Sequence, residues 1–230
     1  MPRTIAIGDI HGHLQALRIL ARNVPFEDDD QLVAVGDYVD RGPDSSGVID
    51  WMIERHAARQ IVPLLGNHDL MMREAPLDED AHDLWIAVGG KATLYSYRTD
   101  ESRAIRFDDI PDTHWKFLRD TCLPYFETQT HIFAHAGVAP FLPLEKQKTT
   151  TLFWDKLVDP RPHESGKTVV CGHTAQRSGL PLNFGHTVCI DTWVYGEGWL
   201  TCLDVDSRDF WQARDDGTFQ SSNLSELPAM

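Results

Sequence analysis

Three short apolar runs, each ending in glycine and then in side chains rich in oxygen or imidazole, constrain this chain more than any other feature. Thr4-Ile5-Ala6-Ile7 leads into Gly8-Asp9-Ile10-His11-Gly12, and Leu32-Val33-Ala34-Val35 leads into Gly36-Asp37-Tyr38-Val39-Asp40-Arg41-Gly42. Ile61-Val62-Pro63-Leu64-Leu65 then leads into Gly66-Asn67-His68-Asp69. Each run reads as a buried strand bounded by a breaker, so its polar cluster falls where strand becomes loop. Open α/β sheets bind their ligands at such strand ends. Between the runs, Leu14, Leu17, Leu20 and Val24 recur at near-helical spacing, as do Val48, Ile49, Met52, Ile53 and Ala57. Pro43-Asp44-Ser45-Ser46 supplies start signals for the second helix. Strand, helix, strand, helix, strand predicts two right-handed βαβ units in a parallel sheet.

Carboxylates and an arginine at half-buried strand ends are costly unless opposite charge is bound there. A metal would satisfy Asp37. A phosphate would satisfy Arg41, whose planar fork matches two phosphate oxygens. Asp, His and Asn are hard or borderline donors that suit Mn, Fe, Zn or Ni. The formal net charge of −14, from 21 basic and 35 acidic side chains, argues against duplex nucleic acid and anionic membranes as partners. It would also repel a phosphate ester, so a phosphate site here must create local positive charge, which metal ions do.

The 230 residues suit a single domain over the whole chain. Cys122, Cys171, Cys189 and Cys202 stand singly in or beside apolar stretches and read as core thiols of a reducing compartment. Met1-Pro2-Arg3 enters a strand without an apolar leader, and no run is long enough to cross a bilayer, so a cytoplasmic protein is expected. From about 71 to 126 the pattern is helical, with Leu84, Trp85 and Val88 before a break at Gly89-Gly90. Asp112-Thr113 is expected to cap a helix bearing Trp115, Leu118 and Cys122. This segment reads as a helical cap inserted beside the pocket. Strands expected at 130–134, 168–171, 187–190, 199–203 and 210–213 suggest an antiparallel meander, and the polar stretch at about 217–230 a loose tail.

The motifs GDIHG, GDYVDRG and GNHD, with AHAG around His135 and GHT around His173, resemble the signature of the calcineurin-like metallophosphoesterases. The likeness is to the phosphoprotein phosphatase branch, of the bacterial serine/threonine type. The GG, TL and SY of residues 89–97 are similar to the insert of small bacterial protein phosphatases. The resemblance implies an α/β fold, a two-sheet sandwich flanked by helices in four layers. It also implies two divalent metal ions, with Mn²⁺ expected and Fe, Zn or Ni as alternatives. Asp9, His11 and Asp37 would hold the first, and Asp37, Asn67, His135 and His173 the second. His186 competes with His173, because it too precedes an apolar strand.

In the same family pattern His68 is the general acid, Asp40 its partner, and Arg41, Asn67 and His68 bind phosphate. Lys156, in Trp154-Asp155-Lys156, stands where the family usually has a second phosphate-binding arginine, and Arg161 and Arg177 are alternatives. Asp191 reads as an orienting neighbour, and Trp193 and Tyr195 as loop packing rather than an aromatic substrate wall. The expected function is a metal-dependent phosphomonoesterase that hydrolyses phosphoserine, phosphothreonine and aryl phosphates. It would act by direct attack of water activated at the dinuclear centre, on a phosphoprotein or small phosphate ester. Asp69 replaces the glutamate common in protein phosphatases, and the GNHD ending resembles symmetrical diadenosine tetraphosphate hydrolases, although chain length leans against them. A phosphopeptide-binding module without turnover is a third reading, resting on Lys156 alone.

Overall fold

Alternate residues of a strand point to opposite faces, so a strand buried on both sides needs apolar residues throughout. The first three strands meet that condition: β1 (Thr4–Ile7), β2 (Gln31–Ala34) and β3 (Ile61–Pro63) are almost wholly buried. In the computed structural model, which describes residues 3–99, 102 and 105–227, β1 and β2 pair in parallel, as do β2 and β3. Helices α1 (Leu14–Asn23) and α2 (Ser45–Ala57) make the two crossovers. Asp44 caps α2 by accepting the Gly47 N–H at 2.8 Å. Ile5, Ile7, Leu32 and Ala34 meet Leu14, Leu17, Leu20, Val48, Ile49 and Met52 of these helices in one core.

The opposite faces, Ala6, Val33 and Val35, pack against Phe133, Val170 and Val188 in a second core between two sheets. The remaining helices are α3 (Asn67–Glu74), α4 (Glu79–Trp85), α5 (Lys91–Ser96), α6 (Asp112–Lys116) and α7 (Thr149–Phe153). The remaining strands are β4 (Tyr125–Glu127), β5 (His131–Ala134), β6 (Thr168–Cys171), β7 (Leu182–Asn183), β8 (Thr187–Cys189), β9 (Leu200–Asp204), β10 (Asp209–Ala213) and β11 (Phe219–Asn223). One sheet has the order β11-β10-β9-β1-β2-β3 and the other β4-β5-β6-β8-β7. Leu152 and Phe153 of α7 cover Ala134 from outside the second sheet. The architecture is thus the expected sandwich of two sheets between helices.

Two expectations are corrected. The antiparallel meander holds for β9, β10 and β11, but β5, β6 and β8 run parallel to one another. Long connections separate those strands, and parallel pairing requires such crossovers. Of the expected tail, residues 228–230 lie outside the described residues, and the part up to Leu227 is not loose: Phe219–Asn223 pairs with β10, and Leu224 is buried. Its polar residues belong to an edge strand with one face in solvent. Smaller adjustments concern element ends. Pro111, not Asp112-Thr113, occupies the α6 cap position and makes no side-chain cap. No helix among the described residues is long and apolar enough to cross a membrane, and all four cysteines are free thiols.

Candidate active site

The loops that leave the strands hold side chains in conformations that ordinary residues avoid. His11 (φ 45°), Asp37 (φ 53°), Asp40 (φ 74°), Arg41 (φ 71°) and His173 (φ 62°) all lie in the left-handed region. Strained residues of this kind cluster at functional sites, where surrounding bonds hold them. Asp69 provides several of those bonds: its carboxylate accepts the N–H groups of Asp37 at 2.9 Å, Tyr38 at 3.0 Å and Gly66 at 2.9 Å. It therefore ties the loop after β2 to the start of α3. Glycine at 66 and 172 lets the backbone approach Asp37 and Asp9, since a Cβ at either would overlap a carboxylate oxygen.

Asp9, His11, Asp37, Asn67 and His135 are all buried. Ligand atoms of Asp9, Asp37 and His135 lie within 4.8 Å of one another, as do those of His11, Asp37 and His68. The orientation of the imidazoles is informative. His11 Nδ1–H donates to Val39 O at 2.8 Å, and His135 Nδ1–H to Val35 O at 2.9 Å. His173 Nε2–H donates to Trp154 O at 3.0 Å. A carbonyl only accepts, so in each neutral ring the other nitrogen turns a lone pair inward. Those nitrogens meet oxygens: His11 Nε2 is 3.4 Å and His135 Nε2 3.5 Å from Asp37. His135 Nε2 and His173 Nδ1 are each 2.9 Å from Asn67 Oδ1.

At His135 and His173, electron pairs facing the Asn67 oxygen call for a cation. Asp9 makes the same point, because its Oδ1 is buried without a partner while Oδ2 accepts the His173 N–H at 3.0 Å. Burial, with Asp191 and Asp37 nearby, holds the Asp9 carboxyl well above its ordinary range. Burial opposes ionisation of Asp37 as well, yet the imidazoles around it and the His68 N–H that it accepts at 2.9 Å keep it below the usual range. Burial also lowers His11 and His135 and brings His173 down to about 3, so the rings stay neutral and able to ligate. The donor set and its orphaned oxygen fit divalent ions.

Beside the ligands, His68 Nδ1–H donates to Asp40 at 2.6 Å, and Arg41 reaches both imidazoles on this side. Its Nη1 donates to His11 Nε2 at 2.9 Å and its Nη2 to His68 Nε2 at 2.8 Å. Burial opposes a charge on His68, but Asp37 and Asp40 raise its proton affinity above the ordinary value. Tyr195 covers the guanidinium, with the Arg41 Cζ 4.0 Å from its ring centre, and sets its edge against His11. The reading of Tyr195 as loop packing is thereby corrected. Trp193 instead stacks with Arg177, at 5.3 Å.

The other predicted residues are less central. Lys156 sits at the exposed rim, donating to the His173 carbonyl at 2.9 Å, and shares the wall of a cavity of about 280 Å³ with Arg161. His186 donates to Pro160 O at 2.9 Å and takes no part in the cluster that holds His173. Asp191 accepts the Trp193 N–H at 3.1 Å, and burial raises its carboxyl to about 6. Sequence reasoning missed Trp85 and Thr93. Both touch Asp40 from the segment between α3 and β4, and no local pattern marks that contact.

A two-sheet sandwich that gathers Asp, His and Asn ligands beside an arginine at its strand ends defines a metal-dependent phosphoesterase. A family model of calcineurin-like phosphoesterases matches residues 2–198, and the chain belongs to that family. It is 31% identical over 210 residues to serine/threonine-protein phosphatase 1 of Salmonella typhimurium, covering 86% of this chain and 90% of the relative. It is 35% identical over 143 residues to a symmetrical bis(5'-nucleosyl)-tetraphosphatase of Legionella pneumophila, a match covering 61% of this chain but 46% of that relative. A solved structure described as a putative diadenosine tetraphosphatase superposes with a TM-score of 0.64 at 22% identity, over 97% of this chain and 96% of the other. A cold-active protein tyrosine phosphatase superposes with a TM-score of 0.61 at 18% identity, over 96% and 78%. At those identities the superpositions bear on the fold.

Proposed function

We propose that the protein is a metal-dependent phosphomonoesterase that removes phosphate from phosphoserine and phosphothreonine, and from small aryl phosphates. Asp9, His11 and Asp37 would hold one divalent ion, and Asp37, Asn67, His135 and His173 a second, with Mn²⁺ the expected metal. Such a pair supplies Lewis acidity at the phosphoryl oxygens and water of lowered pKa. The protein's own groups do the rest. Arg41, with Asn67, binds the phosphoryl oxygens, and engaging them draws its fork away from His68 Nε2. That nitrogen then carries the proton that passes to the leaving oxygen as the P–O bond breaks and a water oxygen joins phosphorus. Asp40 aims the ring and offsets its charge. Lys156 stands close enough to His173 to add positive charge at the rim.

The observation that carries the monoesterase reading is the match to the Salmonella phosphatase, which runs nearly end to end in both chains. A symmetrical dinucleoside tetraphosphate hydrolase is the second reading, favoured by tetraphosphatase relatives of which the chain spans less than half the length. Asp69 contacts backbone N–H groups alone among its hydrogen bonds, so a preference for either substrate does not follow from it. Rates on phosphopeptides, diadenosine tetraphosphate and p-nitrophenyl phosphate, measured with saturating Mn²⁺, test the choice. Faster turnover of the dinucleotide than of any monoester would overturn the first reading. Binding of phosphopeptide without phosphate release would overturn both.

A further inference from the structure

The carboxylate of Asp40 is fully buried, and it is held by more than the imidazole it faces. Trp85 Nε1–H, at the end of α4, lies 2.9 Å from Oδ1 and 3.0 Å from Oδ2. Thr93 Oγ1–H, in α5, donates to Oδ1 at 2.7 Å. The same Thr93 oxygen accepts the Asp40 N–H at 2.7 Å, and Ser45 Oγ lies 3.1 Å from that nitrogen and 3.1 Å from Thr93 Oγ1. Between the two helices, Gly89 (φ 131°) accepts the Arg41 N–H at 3.3 Å. A Cβ on Gly89 would come within 2.9 Å of Arg41 Cγ.

These contacts fall on two consecutive non-glycine residues at positive φ, Asp40 and Arg41. Such backbone persists where its surroundings over-determine it. The surroundings here come largely from α4, α5 and the turn joining them. A segment without metal ligands thus grips the proton-donating half of the site, whereas Asp69 and the strands organise the ligand half. We propose that Trp85 and Thr93 are positioning residues: they fix the Asp40 carboxylate, and through it aim His68 at the leaving oxygen. The inference rests on the reading of His68 as proton donor.

Proton donation matters most when the leaving oxygen is basic and least when it is a stabilised phenolate. Rates on aryl phosphates of increasing leaving-group pKa, from p-nitrophenyl to phenyl and on to an alkyl phosphate, therefore report the aim of His68. Trp85→Phe keeps the ring and removes the N–H, and Thr93→Val keeps the shape and removes the hydroxyl. With saturating Mn²⁺, each should lower kcat on the alkyl phosphate by about 10- to 100-fold more than on p-nitrophenyl phosphate. KM should be little changed, and Thr93→Ser should restore the wild-type pattern.

If Trp85→Phe does not fold, the Thr93 pair carries the test. His68→Asn should show the same leaving-group bias, at least as strongly. Equal losses on all esters in the Trp85 and Thr93 variants, beside a clear bias in His68→Asn, would overturn the positioning role alone. A His68→Asn enzyme without bias would remove the proton-donor reading, and the positioning role with it.

Discussion

Where β1 and β2 end, the chain delivers Asp9, His11, Asp37, Asp40 and Arg41; where β5 and β6 end, it delivers His135 and His173. Among the candidate ligands, the first sheet thus brings both carboxylates and the second brings imidazoles alone. In the first, Asp37 lies close enough to help raise the Asp9 carboxyl, while the rings of the second are anchored singly on backbone carbonyls. Removing a residue from the first sheet's share should therefore damage chemistry. Removing one from the second should chiefly weaken metal affinity.

The largest expected effect is at Asp37, which faces both groups of ligand atoms. Asp37→Asn should lower kcat/KM on p-nitrophenyl phosphate by on the order of 10³-fold at saturating Mn²⁺. Comparable activity in the variant would break the proposed division between the sheets. His68→Asn should cost about 10²-fold or more in kcat while leaving Mn²⁺ uptake, read by calorimetry, unchanged. Chelation with EDTA should lower the melting temperature, and Mn²⁺ at a hundred times its Kd should restore about 2.7 kcal/mol of stability per site. A metal-insensitive melting curve would contradict the proposal that this ligand cluster holds metal ions.

On the second sheet, His173→Ala should weaken Mn²⁺ binding by about 10- to 100-fold, and added Mn²⁺ should recover most of the rate. Failure of that recovery would show that His173 does more than ligate. The smallest effect sharpens the contrast from outside the site. His13 provides no side-chain cap for α1, and Asp215, from the turn between β10 and β11, accepts the Ala16 N–H at 2.9 Å and meets His13 at 2.7 Å. Partial burial opposes the Asp215 charge, but His13 and the Ala16 N–H hold its carboxyl below the usual range. Its stabilisation is complete above the ordinary carboxylate pKa and lost as pH falls through the lowered native value. Asp215→Ala should cost about 1 kcal/mol near neutral pH by urea denaturation, with the difference vanishing in strong acid and activity retained.

The legible parts of this molecule are those in which chemistry and local structure share one stretch of chain. Asp9, Asp37 and Asn67 follow apolar strands directly, so position in sequence already implies position in the fold. The faces of α1 and α2 are likewise written in their spacing. Asp69 was visible as a departure from a motif, but its three backbone partners depend on how two loops meet. The resemblance puts the Tyr195 loop near the pocket, but no local pattern places its ring over Arg41, and Trp85 reads as a core tryptophan whose N–H meets Asp40 only through packing. The direction of β5, β6 and β8 and the pairing of β11 were illegible for a related reason: strand partners far apart in sequence are chosen by which faces and edges remain to be covered.

The amino-acid sequence alone determined which donors this protein has, their attachment to strand ends, and the α/β frame that carries them. Those properties follow from short-range steric and hydrophobic periodicity. Tertiary structure alone decided that rings from the second sheet would meet the carboxylates of the first, and that Asp40 would be gripped by Trp85 and Thr93. Such contacts join residues tens of positions apart, and their geometry exists only once both cores are packed.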